Sequence, residues 1–181
     1  MSTLQIAHPV RVLWEDRTLT ESAEAARPDE QLTLLMVRHE RALYNYAVTL
    51  LRDEDVARDC VQDTFVRAYD HLCTGRSINR NWLFTVSRNR AMDEFRRRRR
   101  VEPKLDRLEN TPVLQSLESA IDLQRIFDEL STTDREVLFL HAVAGFRTEE
   151  IGEMLRLRGS AVRQRLYRAR EHFRQLYSEA L

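Results

Sequence analysis

Residues 146–166 read Phe-Arg-Thr-Glu-Glu-Ile-Gly-Glu-Met-Leu-Arg-Leu-Arg-Gly-Ser-Ala-Val-Arg-Gln-Arg-Leu. This stretch has the pattern of two short helices and a tight turn. Thr148 is a candidate cap, and Glu149 and Glu150 suit the positive end of a helix that starts there. Ile151, Met154 and Leu155 recur on one face. Gly152 is small where a second helix must cross closely. Arg156 to Gly159 make the turn, and Ser160 is the candidate cap of the second helix. Val162, Leu166 and Ala169 bury that helix, while Arg163, Gln164, Arg165, Arg168 and Arg170 cover its other faces. No acidic residue lies between 154 and 170. A capped helix with a buried stripe and a basic outer face is what the DNA major groove admits. The alternative is a surface helical hairpin with merely solvated arginines.

Working outward, the whole chain reads as helical. Its 181 residues contain 4 Gly and 4 Pro. Turn-rich sandwiches and barrels need more. Apolar residues make up 43% and charged residues 32%, enough for one core or two small ones, and no apolar run is long enough to insert into a membrane. The 2 Cys exclude a disulfide framework, and the N-terminus lacks a basic start followed by an apolar stretch. A reduced, cytoplasmic protein is the expectation.

The formal net charge is zero, but it is sorted. Residues 1–75 carry net −5, 76–100 net +7, 101–146 net −5 and 147–181 net +3. Two basic blocks in a helical chain suggest two places that touch a polyanion, although a charge run is more often a solvated face. The run Arg96–Arg100 goes all round a helix and decides little by itself.

Periodicity places the elements. Residues 1–28 show no clear period and read as an extension. A helix opens at Asp29 or Glu30 and buries Leu32, Leu35, Met36, His39, Leu43, Tyr46, Ala47, Leu50 and Leu51. A second spans about 54–72, with Ala57, Cys60, Val61, Thr64, Phe65, Ala68 and Leu72 on one stripe. A third spans about 79–100, buried through Trp82, Leu83, Val86, Met92 and Phe95. Glu102-Pro103 stops it, and the acidic stretch 102–116 reads as a flexible linker. Helices are then expected at about 117–130, 134–144, 148–155 and 160–178. The third-last of these is opened by Thr133-Asp-Arg-Glu136, which has capping-box spacing. The fold class is all-α: a three-helix domain at 29–101, and a four-helix domain with a helix-turn-helix at 117–181.

The second helix contains Asp55-Val-Ala-Arg-Asp-Cys-Val-Gln-Asp-Thr-Phe-Val-Arg-Ala68. Asp55, Asp59, Gln62 and Asp63 share an exposed acidic face opposite the apolar stripe. Beside it runs Asn81-Trp-Leu-Phe-Thr-Val-Ser-Arg-Asn-Arg-Ala-Met-Asp-Glu-Phe-Arg-Arg-Arg-Arg-Arg100. With the C-terminal pair, these motifs resemble a bacterial sigma factor of the extracytoplasmic-function (ECF) group. The resemblance covers sigma region 2 at about 30–100 and region 4 at 117–178.

The resemblance implies roles that spacing does not show. Asp55, Asp59, Gln62 and Asp63 dock core RNA polymerase on the β′ clamp helices, and region 4 meets the β flap. The loop Thr74, Gly75, Arg76, Ser77 and Ile78, with Asn79, Arg80, Arg88 and Asn89, captures the melted −10 promoter element. Ser160, Arg163, Gln164, Tyr167 and Arg168 read the −35 element as duplex, where Arg suits guanine edges and Gln suits adenine. An anti-sigma factor is the implied regulator. The chain departs from the family pattern at Asp63, where Glu is usual, in its short 73–79 loop with Arg76, and in the basic turn Arg158–Ser160.

No cofactor, metal site or enzymatic activity is expected. His39, His71, Cys60 and Cys73 lack ligand spacing, and Cys60 sits on the apolar stripe, where a free thiol is commonly buried. Trp82 fits the core better than a base stack. Two rival functions remain open from the sequence. One is an ordinary helix-turn-helix regulator, which has no use for the acidic face at 55–63. The other is a helical interaction protein whose arginine faces bury in a partner.

Overall fold

The computed structural model describes residues 27–101 and 129–179. Within them the chain forms six helices and no strand. They are α1 (Pro28–Leu51), α2 (Glu54–Cys73), α3 (Arg80–Val101), α4 (Thr132–Ala142), α5 (Thr148–Leu155) and α6 (Gly159–Glu179). The expected linker and most of the helix expected at 117–130 lie outside the described residues, as does the extension up to residue 26.

Local chemistry sets the helix ends. Pro28 occupies the first turn of α1, where its missing N–H costs nothing, followed by Asp29 and Glu30. Arg52 closes α1 in the left-handed conformation at φ 54°, its N–H donating to the Val48 carbonyl. Asp53 then caps α2 by accepting the Val56 N–H at 3.0 Å. Its other oxygen accepts from Arg98 at 2.8 Å, pinning the α1–α2 corner to the far end of α3. Burial alone would raise the Asp53 pKa, but the Val56 N–H and Arg98 outweigh it and hold the carboxyl below its usual range.

The expected stripe of α2 is buried at every position: Ala57, Cys60, Val61, Thr64, Phe65, Ala68 and Leu72. Cys60 donates its thiol to the Ser87 carbonyl at 3.4 Å, and burial pushes its pKa up, which leaves it a protonated, poorly nucleophilic group. In α3 the buried residues are Leu83, Phe84, Ser87 and Ala91. Trp82, Val86, Met92 and Phe95 are only half-buried, so the expected stripe is turned partly away from the core.

Two expected caps give way to others. Ser131, not Thr133, caps α4 by accepting the Asp134 N–H at 3.2 Å. Glu136 does not complete a capping box; it is buried among residues of the N-terminal half. At α5, Glu150 accepts the Arg147 N–H at 2.7 Å, so the start is fixed by Glu150 instead of Thr148. Ser160 lies inside α6, which begins at Gly159.

The two halves share one core. Leu43, Tyr46, Phe65, Leu83 and Phe84 are continuous with Val137, Phe139, Leu140, Phe146 and Ile151. The Phe84 ring packs 5.3 Å from Tyr46 and edge-on to Phe146 at 4.9 Å, the offset arrangement that aromatic pairs favour.

Candidate nucleic-acid interface

The C-terminal reading surface is built from the turn outward. Leu157 donates its N–H to the Gly152 carbonyl at 2.8 Å, closing the turn after α5. Val162, Leu166 and Ala169 then anchor α6. This leaves Ser160, Arg163, Gln164, Tyr167 and Arg168 exposed on one side, spaced three and four residues apart. Tyr167 is 68% exposed, which a large aromatic ring adopts at a cost unless something covers it. Arg165 points elsewhere: it pairs with Asp134 of α4 at 3.2 Å.

On α2, Asp55, Asp59 and Gln62 are exposed and Asp63 is half-buried. Asp55 pairs with Arg58 at 2.7 Å, and Asp63 pairs with Arg90 of α3. Beside this acidic row lies something the sequence reading missed. An apolar groove of about 930 Å³ runs between α1 and α2, lined by Leu32, Met36, Tyr44, Val61, Phe65 and Val66. Val66 is 61% exposed. The available signal was Val66 and Tyr69 interrupting the polar face of α2.

The third set divides. Thr74, Gly75, Arg76, Ser77, Asn79 and Asn89 are exposed. Gly75 adopts φ +74°, and Thr74 bonds the His71 carbonyl at 2.7 Å, so the loop is a defined turn. Asn79 also caps α3, its carbonyl oxygen accepting the Trp82 N–H at 2.8 Å. Ile78 packs against the core. Arg80 and Arg88, however, do not face solvent with the others. Arg80 donates to the Ala144 carbonyl at 3.1 Å and lies 3.9 Å over the Phe146 ring. Arg88 donates to Glu136 at 2.8 Å. In this conformation both guanidiniums belong to the contact between the halves. Trp82 stacks on His71 at 4.8 Å, neither wholly core nor free.

Comparison with known proteins decides the family. Residues 35–101 match the family model for Sigma-70 region 2, and residues 120–173 match that for Sigma-70, region 4. The ECF RNA polymerase sigma factor SigL of Mycobacterium tuberculosis is 33% identical over 161 residues, covering 82% of this chain and 89% of SigL. The chain belongs to the ECF sigma factors of the sigma-70 family. SigM of Bacillus subtilis is 25% identical over 77% of this chain and 90% of its own. Among solved structures, the sigma factor RpoE in complex with the anti-sigma factor NepR from Bartonella quintana superposes with a TM-score of 0.68 at 26% identity, covering 83% of this chain and 96% of RpoE. CnrH in complex with the cytosolic domain of CnrY gives 0.63 at 29% identity, covering 89% and 96%.

In this sigma factor α2 and α3 lie within the region 2 match and α4 and α5 within the region 4 match, while α1 begins ahead of the first at Pro28 and α6 runs past the second to Glu179. Among the described residues no cluster of His, Cys, Asp and Glu could hold a metal ion, and no helix is long and apolar enough to cross a membrane.

Proposed function

We propose that this sigma factor directs core RNA polymerase to promoters by reading the −35 element with α6 and capturing the melted −10 element with the Thr74–Asn79 loop and α3. The observation that carries the reading is the outer face of α6. Arg163, Gln164, Tyr167 and Arg168 are exposed together on a helix whose opposite side is locked in the core. A rigid helix presenting Arg and Gln matches the guanine and adenine edges of the major groove. The −10 step has a different economy. An unstacked base held in a protein pocket offsets part of the lost stacking, and arginines hold the single-strand backbone.

Asp55, Asp59, Gln62 and Asp63 form the polymerase-facing row in this reading. The neighbouring groove supports it, because a partner helix has apolar surface to bury there while its basic residues meet the acids. Residues 29–101 and 117–181 act as the two domains, and 102–116 joins them. The solved relative RpoE, bound to the anti-sigma factor NepR, supports control by such a partner. The work is recognition and carries no catalytic step of its own. It takes place in the cytoplasm, where polymerase and DNA are.

Replacing Arg163 by alanine tests the −35 assignment. A bidentate contact to a base is worth about 1–3 kcal/mol, so affinity for the cognate −35 duplex falls by that amount and selectivity at one base pair relaxes. Competition binding with point-substituted duplexes measures both. Unchanged affinity and selectivity would remove Arg163 from the reading face.

A further inference from the structure

Glu136 is 2% exposed, and the two side chains that hydrogen-bond it, Tyr46 and Arg88, come from the other half of the molecule. Tyr46 of α1 donates its hydroxyl to Oε1 at 2.6 Å. Arg88 of α3 donates to the same oxygen at 2.8 Å. Burial first, and then the Glu136 charge, push the Tyr46 pKa well up, so the phenol stays protonated and donates. A carboxylate at this depth is tolerated only because it is paired on both counts. Its partners are lost if the halves separate.

What Glu136 pairs with matters more than the pairing itself. Arg88 and Arg80 are the two −10 residues that the structure withdraws from solvent. The carboxylate sits on Arg88 as a backbone phosphate would, and the Phe146 ring covers Arg80. Meanwhile the acidic row of α2 and the reading face of α6 stay open. The closed chain therefore denies access to one function and leaves two free.

We propose that Glu136 is an intramolecular latch that holds region 4 over the −10-binding arginines of region 2, so that single-strand capture requires the halves to part first. The proposal rests on the −10 assignment made above. It gives initiation an order. Polymerase docking and duplex contact are available to the closed chain, whereas −10 capture waits for opening. The apparent dissociation constant rises by the inverse of the open fraction, so a chain open about one-tenth of the time gains about tenfold on unlatching.

The test uses the full chain with one spin label on Cys73, which is exposed, and a second on a cysteine introduced as Arg170→Cys on the outer side of α6. The free protein is expected to give one short, narrow distance distribution between the labels. Glu136→Ala is expected to broaden and lengthen it, and to raise affinity for a fluorescent random-sequence single-stranded oligonucleotide pool roughly tenfold. Tyr46→Phe, which keeps the ring and removes one hydrogen bond, is expected to do the same to a smaller degree and guards against a misfolded alanine variant. The swap Glu136→Arg with Arg88→Glu is expected to restore the short distance and to abolish the gain in DNA affinity. A distance unmoved by Glu136→Ala and by Tyr46→Phe would overturn the latch and leave the −10 assignment standing. Opening without any gain in DNA affinity would overturn the masking, and would place the fault in the assignment of Arg80 and Arg88.

Discussion

Changing Phe84 to alanine is expected to lower the unfolding free energy by about 3–5 kcal/mol, the usual loss when a buried ring leaves a cavity. The ring is 1% exposed and is gripped from both sides. Tyr46 of region 2 lies 5.3 Å away, and Phe146 of region 4 meets it edge-on at 4.9 Å. Neither neighbour can collapse into the gap without loosening its own half. For a chain of this size, that loss corresponds to a melting temperature lower by roughly 6–20 °C. Because Phe84 belongs to a core that runs through both halves, the unaltered chain is expected to melt in one cooperative transition, and Phe84→Ala to separate it into two. Calorimetry reads both effects. A shift under about 2 °C would contradict the shared core.

The second large effect concerns Gly152. A Cβ built there would stand 2.8 Å from the Leu157 carbonyl oxygen, closer than such atoms come, and 3.8 Å from Val162. The obstructing oxygen is backbone in a turn already fixed by the Leu157-to-Gly152 hydrogen bond. It cannot swing aside as a long side chain could. Gly152→Ala therefore forces α5 and the turn apart at a cost of about 1–3 kcal/mol. The displacement is passed directly to α6. Affinity for −35 duplex is expected to fall by more than the stability loss alone explains, because a misplaced reading helix fails even while folded. Paired melting and duplex-binding measurements separate the two losses. Normal values in both would show that the turn has room the structure does not show.

These two residues illustrate what the sequence could and could not convey. Gly152 was legible as a site of close approach because spacing and residue size agree locally. So were the seven buried positions of α2 and the outward set on α6, since each helix presents one face to one core. Phe84 was not legible. α3 packs against α1 and α2 on one side and α5 on another, so its apolar positions no longer follow a single stripe. Glu136 was misread for a related reason. Its capping-box spacing is a local signal, while its burial follows from Arg88 and Tyr46, which are 48 and 90 residues away in the chain. Long-range contacts likewise withdrew Arg88, to Glu136, and Arg80, to Ala144 and Phe146, from the surface expected of them. The groove beside the acidic row forms where α1 meets α2, and Val66 and Tyr69 on the polar face of α2 are its one trace within a single helix.

The central claim is that this chain brings polymerase to promoters through the acidic row of α2 and the reading face of α6. The most direct measurement is run-off transcription from a genomic promoter library, using purified core RNA polymerase with this protein as its one specificity factor. Discrete transcripts are expected, sharing a −35 and a −10 sequence, and abolished when Asp59 and Asp63 are both changed to alanine while duplex binding by the free protein persists. Transcripts that survive the double change would contradict the placing of polymerase on α2. No transcripts at all, with specific duplex binding intact, would contradict the claim itself and favour a regulator that works on DNA without the polymerase.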